Sequence, residues 1–115
     1  MTTEVICHNE FNGKHRWATC PHEFPHAYLK DSHRHTFVTE TRFSVTDDDR
    51  QIEIFDAEDK VRGSIMTHYP VDPRDGLIDF GSSSCEMIAR HIVESLGAVE
   101  CSVREDGRGG ACVRA

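Results

Sequence analysis

The sequence predicts one α+β domain, in which helical segments cover one face of an antiparallel sheet. Three observations support this prediction. Two separate segments alternate apolar and polar residues as strands do, and one segment near residue 90 carries its apolar residues at helical spacing. With 115 residues the chain also fits the usual size of about 100–200 residues for a single domain.

The first half of the chain reads as strands with a loop between them. The first strand is predicted over residues 3–9, with a continuation towards Trp17. A loop is expected over residues 20–32, where two prolines lie among polar residues. Residues 35–46 have the best strand pattern, because aromatic and β-branched residues recur at every second position.

The middle of the chain is predicted to contain a hairpin strand, a short helix and a connecting segment. After an acidic turn, residues 51–55 alternate again, so we expect them to pair back on the preceding strand as a hairpin. Residues 56–62 are compatible with a short helix. Residues 64–81 contain two prolines and two glycines and are expected to be mostly connection.

The clearest helix is predicted over residues 84–96. Its apolar residues follow the i, i+3, i+4, i+7 spacing of one buried face, and Gly97 lies where a glycine commonly ends a helix. A strand over residues 99–105 and a short strand over residues 111–113 complete the predicted order.

Composition restricts the function. Thirteen Lys and Arg against twenty Asp and Glu give a net charge of −7, which argues against nucleic-acid binding through a basic face. No apolar stretch is long enough for a membrane span, and the N-terminal residues do not resemble a signal peptide. The five cysteines are widely spaced without a CxxC motif, so we expect reduced thiols and a cytoplasmic protein.

Eight histidines are many for a chain of this length. His33 and His35 form an H-x-H at the start of a predicted strand, so both imidazoles project from the same face. A catalytic zinc site needs a third protein ligand, and His15 in the first strand is the best candidate. His22 and His26 in the loop are competitors, and solvated histidines without a ligand are the alternative.

Several segments together resemble one family. Phe11-x-x-x-His15, the run from His33 to Phe37, the helix start Ser82–Ala89 and Val103-Arg104-Glu105 occur in the order of the 6-pyruvoyl-tetrahydropterin synthase and 6-carboxy-tetrahydropterin synthase family. The match in order and spacing extends over nearly the whole chain, from about residue 3 to residue 113. No single motif is specific to the family, but four motifs in matching order and spacing are considerably more specific.

This resemblance implies the tunnelling fold. In that fold a four-stranded antiparallel sheet with two helices on one face assembles by its strand edges into a ring, so we expect a homo-oligomer, hexamer-like, with sites at subunit interfaces. It also implies zinc bound by His15, His33 and His35. Glu105 is expected to anchor a pterin, because a carboxylate can accept two parallel hydrogen bonds from a 2-amino-4-oxopyrimidine edge, and Glu86 is expected beside it as a substrate-binding residue.

The implied activity is that of a zinc-dependent lyase of the 6-carboxy-tetrahydropterin synthase type. Such an enzyme acts on dihydroneopterin triphosphate in 7-deazaguanine (queuosine-type) biosynthesis, with zinc activating the substrate hydroxyls. The family uses a cysteine shortly before H-x-H, but residues 27–32 contain none, so Cys20 is the candidate base. His68 is the candidate catalytic histidine, although Thr67 stands where a carboxylate is expected.

These departures leave an alternative. A tunnelling-fold protein that binds zinc and a pterin or purine, but has lost or changed the synthase reaction, would keep the metal ligands and Glu105. A structural zinc protein is a third reading. A triphosphate substrate would additionally require several of four basic residues to gather locally, namely Lys14, Arg16, Lys30 and Arg34.

Overall fold

A computed structural model describes all 115 residues as a five-stranded sheet and two helices. In chain order the elements are β1 (Thr3–His15), β2 (His33–Val45), α1 (Ile54–His68), β3 (Ile78–Asp79), α2 (Cys85–Leu96), β4 (Glu100–Glu105) and β5 (Gly110–Arg114), and a short 3-10 helix (Ala27–Lys30) lies in the loop between β1 and β2. The strand order in the sheet is β3-β1-β2-β4-β5. The α+β class is therefore confirmed.

The sheet is not wholly antiparallel, so that part of the prediction is wrong. Strands β1, β2, β4 and β5 pair antiparallel, but the two-residue strand β3 runs parallel to β1. A parallel neighbour needs a crossover connection, and the chain makes it through α1. The sheet is mixed, with β3 and β5 at its open edges.

The pairing of β1 with β2 is the longest contact in the sheet. All 13 residues of each strand are in register, from Thr3 opposite Val45 to His15 opposite His33. Alternate residues of both strands are buried beneath the helices, and the residues between them face outwards. The face towards the helices is buried from Cys7 to His15 in β1 and from Phe37 to Val45 in β2.

The core lies between this face and the two helices. It is a cluster of 18 buried residues to which the helices contribute Ala57, Val61 and Ile65 from α1 and a five-residue apolar face from α2. The cluster includes Phe11 and Phe37, which lie opposite each other in β1 and β2. Burial of these aromatic and aliphatic side chains is the main favourable contribution to folding.

The prediction of a strand over residues 51–55 is wrong, because the chain enters a helix there. The Gln51 side-chain oxygen accepts hydrogen bonds from the backbone N–H groups of Thr46 and Asp47, at 2.9 and 2.8 Å, and so closes the end of β2. The Glu53 carboxylate then caps α1 by accepting from Asp56 N at 2.8 Å. Ile54, which alternation placed in a strand, is half exposed in the first turn.

Helix α1 is also longer than predicted. It continues through Gly63 to His68, although glycine costs roughly 1 kcal/mol relative to alanine in a helix interior. Its buried positions follow at intervals of four residues up to Ile65, so packing extends past the glycine. The helix ends before Pro70, since a residue that precedes proline disfavours the helical conformation.

Helix α2 is confirmed almost to the residue. Ser84 caps it by accepting from Met87 N at 3.2 Å, and Gly97 ends it in the left-handed region with φ of 67°. The N-terminal turn of α2 points to the end of the sheet where β1 stops and β2 begins, since the Ser83 carbonyl contacts His15. Neither helix of the protein is long and apolar enough to cross a membrane.

Phe80, immediately after β3, packs against the sheet near this end. Its ring lies 4.6 Å from that of Phe37 and covers Gly13 of β1, where a Cβ atom would come within 2.4 Å of the Phe80 ring. Only glycine leaves room for this close approach. The contact anchors the segment that leads from β3 into α2.

Truncation of the core should destabilise the protein strongly. Ile65→Ala removes a fully buried side chain of α1, so we expect the free energy of unfolding to fall by about 2–5 kcal/mol. Met66→Ala is the matched control, because the neighbouring Met66 is 44% exposed and its loss should change stability by only about 0.5 kcal/mol. Urea unfolding of the two variants checks this, and equal losses would contradict the packing of α1.

The segment before β3 should lose stability in acid. Asp72 binds Arg74 at 2.9 Å and Lys14 at 2.6 Å, and these partners hold the pKa of its carboxyl well below its usual range. The ionised Asp72 carboxylate therefore stabilises the folded state above the ordinary carboxyl pKa, and this stabilisation is lost progressively as pH falls below about 4. Asp72→Asn should lower the melting temperature at pH 7, with the difference from wild type shrinking in acid.

The control for this experiment is Asp59→Asn, since Asp59 is exposed on α1 and makes no ion pair. It should leave the melting temperature at pH 7 unchanged. A constant deficit of Asp72→Asn from pH 7 down to pH 2 would refute an ionic origin.

Candidate metal centre

Three imidazoles meet at the end of the sheet beneath α2. His15 is the last residue of β1, and His33 and His35 begin β2. Their ligand nitrogens all lie within 4.8 Å of one another, and the ring centroids are 4.5 to 5.5 Å apart. The predicted three residues are therefore brought together, and the cluster can hold a metal ion.

Each of the three rings is oriented through its Nδ1 atom. A fixed oxygen lies within hydrogen-bond distance of every Nδ1, so that each Nδ1–H donates outwards and each Nε2 is left as the nitrogen available for a metal. The acceptors are the Ser83 carbonyl for His15 (2.9 Å), the Asp31 carbonyl for His33 (2.8 Å) and the Asp106 carboxylate for His35 (2.7 Å).

The most buried ring is that of His15, which is 8% exposed. Burial is the main cause that lowers its pKa, and the neighbouring His33 and His35 lower it further, against the opposing effects of Ser83 and Glu105. A lowered pKa keeps the imidazole neutral near pH 7, which is the form that binds metals.

Asp106 reaches His35 because of the turn after β4. Asp106 and Gly107 both have positive φ, 56° and 70°, as a type I′ turn requires. The turn places one carboxylate oxygen on Thr36 N at 2.9 Å and the other on the ring of His35. The His35 hydrogen bond is the largest cause that lowers the pKa of Asp106, so the carboxylate is ionised and accepts the ring proton.

Glu105 and Cys85 complete the inner surface of the site. Glu105 Oε2 lies 2.9 Å from Nε2 of His35, and Oε1 lies 3.5 Å from Nε2 of His15. The buried Cys85 thiol at the start of α2 donates to Glu105 Oε1 at 3.6 Å. Burial, together with the nearby carboxylates, raises the pKa of this thiol to about 12, so it is a thiol and not a thiolate.

The cluster lies in an open cleft of about 1000 Å³. This volume is at the upper end of the range of about 300–1000 Å³ in which small-molecule sites fall. The three histidines and Glu105 line the cleft, and Arg16 and Arg108 are the basic residues along it. Glu86 lines the rim from the exposed side of the first turn of α2.

The other predicted catalytic residues lie elsewhere in the chain. Cys20 is buried within its own loop, where its sulfur contacts the carbonyls of Pro21 and His26 at 3.8 and 4.0 Å, and it does not line the cleft. His68 lies at the end of α1, where its ring stacks on His91 at 4.0 Å. Neither residue contacts the three histidines.

Of the four basic residues expected near a triphosphate, one lines the cleft. Arg16 follows β1 directly and lies in it. Lys14 projects from the opposite face and is held by Asp72 and Asp75, at 2.6 and 2.8 Å. Lys30 and Arg34 are exposed and do not line the cleft.

The donor set fits a zinc ion. Three neutral imidazoles around a site with room for a further ligand are typical of catalytic zinc. The buried Nε2 atom of His35 supports this fit, because it makes no hydrogen bond in the protein, although the Glu105 carboxylate lies 2.9 Å away. A nitrogen lone pair that is shielded from water and unpaired is stabilised by a bound cation.

A scan against protein-family models and a search of curated proteins both return no match to this chain.

Sequence reasoning missed two contributors to the site, Cys85 and Asp106. The helical spacing of Cys85 predicts only a place on the buried face of α2. The Asp-Gly pair after β4 is a hairpin-turn signal, and it could have indicated that Asp106 follows a functional strand. Nothing in the sequence shows that this turn lies beside His35.

Asp106→Asn should weaken metal binding without unfolding the protein. The amide keeps an oxygen for Thr36 N but turns its NH₂ group towards His35, which disfavours the tautomer with a free Nε2. We expect a loss of about 10–100-fold in zinc affinity, measured by competition with a chromogenic chelator. Asp49→Asn, in an exposed turn, is the control, and equal affinities of the two variants would contradict the role of Asp106.

Proposed function

We propose that this protein is a zinc-dependent lyase of the 6-carboxy-tetrahydropterin synthase type, acting on dihydroneopterin triphosphate in 7-deazaguanine biosynthesis. The observation that carries the proposal is the cluster of His15, His33 and His35, in which every Nδ1 atom is hydrogen-bonded to an oxygen outside the cluster. A solvated group of histidines has no reason to share this orientation, whereas metal ligands need it.

Zinc bound by these histidines would polarise a substrate oxygen and lower the pKa of a hydroxyl that binds to it. The protein contributes orientation. Asp31 and Ser83 fix two rings through backbone carbonyls, and Asp106 fixes the third through its carboxylate. The site therefore holds its ligand nitrogens in place before any substrate arrives.

Glu105 is the proposed anchor for the heterocycle. Its carboxylate lies in the same cleft as the histidines and is one-third exposed, so it is accessible to a ligand. Its two oxygens can accept the parallel N–H donors of a 2-amino-4-oxopyrimidine edge. Arg16 and Arg108 offer positive charge in the cleft for the phosphates, in a chain whose net charge is −7.

The acid–base groups are the incomplete part of the site. Neither Cys20 nor His68 lines the cleft of the single chain, so in the proposed enzyme they act only after a loop movement or across a subunit interface. The open edges at β3 and β5 are the surfaces through which strand-edge assembly into a homo-oligomeric ring would proceed.

This same gap favours a second candidate function. A protein that binds zinc and a pterin or purine without the synthase reaction needs the histidines and Glu105 but neither Cys20 nor His68. The raised pKa of Cys85, to about 12, fits this alternative, because the one thiol inside the cleft is not a ready base.

Incubation with dihydroneopterin triphosphate separates the two candidates. Zinc-loaded protein should release triphosphate, and His33→Ala combined with His35→Ala should abolish both zinc binding and release, because two of three ligands are lost. The matched control combines His22→Ala with His26→Ala, in the loop outside the cluster. Metal analysis and the mass of the native species are measured on the same samples.

Each result decides a separate part of the proposal. About one zinc per chain without triphosphate release would reject the lyase and favour the binding protein. Stoichiometric metal in the His33 and His35 double variant would reject the site itself. Near wild-type release by Cys20→Ala would remove Cys20 as the base.

A further inference from the structure

The Glu105 carboxylate lies beside the position that a metal bound by the histidines would occupy. Each Nδ1 is committed as a donor, so the Nε2 atoms present lone pairs to the centre of the site. The Glu105 carboxylate, which has only lone pairs when ionised, approaches two of these nitrogens at 2.9 and 3.5 Å. Lone pairs this close repel each other unless a cation or a proton lies between them.

The surroundings of His35 favour a cation. Its Nε2 atom is shielded from water and makes no hydrogen bond, although the carboxylate oxygen is 2.9 Å away. The 2.9 Å contact has the length of an ion pair, and it is also short enough for the nitrogen and the oxygen to be two ligands of one ion.

One separation at Glu105 is close to that between ligands around zinc. Tetrahedral coordination with bonds of about 2.0–2.1 Å puts neighbouring ligand atoms roughly 3.3 Å apart. Oε2 of Glu105 lies 2.9 Å from Nε2 of His35, a little less than that value, while the 3.5 Å contact with His15 is made by the other oxygen, Oε1. The ligand atoms that all lie within 4.8 Å of one another are those of the three histidines, so Glu105 would join an ion held there from the side of His15 and His35.

Cys85 holds the carboxylate in this position. Its thiol donates to Oε1 of Glu105 at 3.6 Å from the first turn of α2. The other oxygen, Oε2, is the one nearer to His35. One oxygen is thus oriented by a protein donor while the other is free to bind a metal, as is usual for carboxylate ligands.

We propose that Glu105 is the fourth ligand of the metal in the ligand-free protein, oriented by Cys85, and that it leaves the metal when a pterin-like ligand binds. This inference rests on the metal site of the proposed function. Four protein ligands give the closed coordination of a structural zinc site, whereas departure of Glu105 opens the position that catalysis requires. The carboxylate released from the metal is then available to hold the heterocycle.

The experiment uses the full chain loaded with zinc or with cobalt(II), whose visible spectrum reports its ligands. Water on a metal held by three histidines ionises near pH 7, so a site with bound water has a spectrum that changes around that pH. Wild type, with Glu105 in place of water, should have a spectrum constant from pH 6 to about pH 9. Glu105→Ala should acquire the transition, and its zinc affinity should fall by at least about tenfold.

Two further variants separate coordination from charge and from folding. Glu105→Gln keeps the shape and should also lose affinity, since an amide oxygen is the weaker ligand. Glu86→Gln removes one negative charge from the same cleft without touching the histidines, and its zinc affinity should stay within about twofold of wild type. Neopterin added to cobalt-loaded wild type should change the spectrum by displacing the carboxylate.

The outcomes distinguish this inference from the proposed function. Equal zinc affinity of wild type, Glu105→Ala and Glu105→Gln, or a wild-type spectrum that already changes near pH 7, would overturn the role of Glu105 and leave the three-histidine site standing. Absence of metal binding by the wild-type protein would overturn both the role of Glu105 and the three-histidine metal site. A neopterin-bound spectrum identical to that of the free protein would reject the departure of Glu105.

Discussion

The register between β1 and β2 is the constraint on which the candidate site depends. Thirteen residues of each strand pair without interruption, and the last pair sets His15 directly opposite His33. Because side chains alternate between faces, a slip of one residue would turn the histidines away from the helices and expose the core residues of the same strand. Phe11 and Phe37, which pair four residues from the end, therefore fix the position of the imidazoles as well as the core.

The strands bring the imidazoles together, but other parts of the chain orient them. The three Nδ1 acceptors come from the loop before β2, from the residue before the cap of α2 and from the turn after β4. The hydrophobic face of α2 has a second consequence, since packing it on the sheet also delivers the Ser83 carbonyl and the Cys85 thiol to the site. Stability and site geometry are coupled through this one helix.

Particular elements show where sequence reasoning succeeded. Helix α2 could be predicted because its spacing, its cap and its terminal glycine agree with its packing. The H-x-H pair and His15 could be predicted because the period of a strand puts alternate residues on one face. Residues 51–55 misled the prediction, because Ile52 and Ile54 alternate as in a strand, while Gln51 closes the turn after β2 and Glu53 caps the start of α1.

By itself the sequence determined the α+β class, the buried face of α2 and the three histidines, because these depend on periodicities that a chain carries locally. Tertiary structure alone decided that β3 joins the sheet in parallel and that Asp106 orients His35. It also placed Cys85 and Glu105 at the cluster, and left Cys20 and His68 outside the cleft. These contacts join residues far apart in the chain, such as His35 and Asp106, which are 71 positions apart. Such pairs depend on how the helices and turns pack against the sheet, and no local pattern encodes that packing.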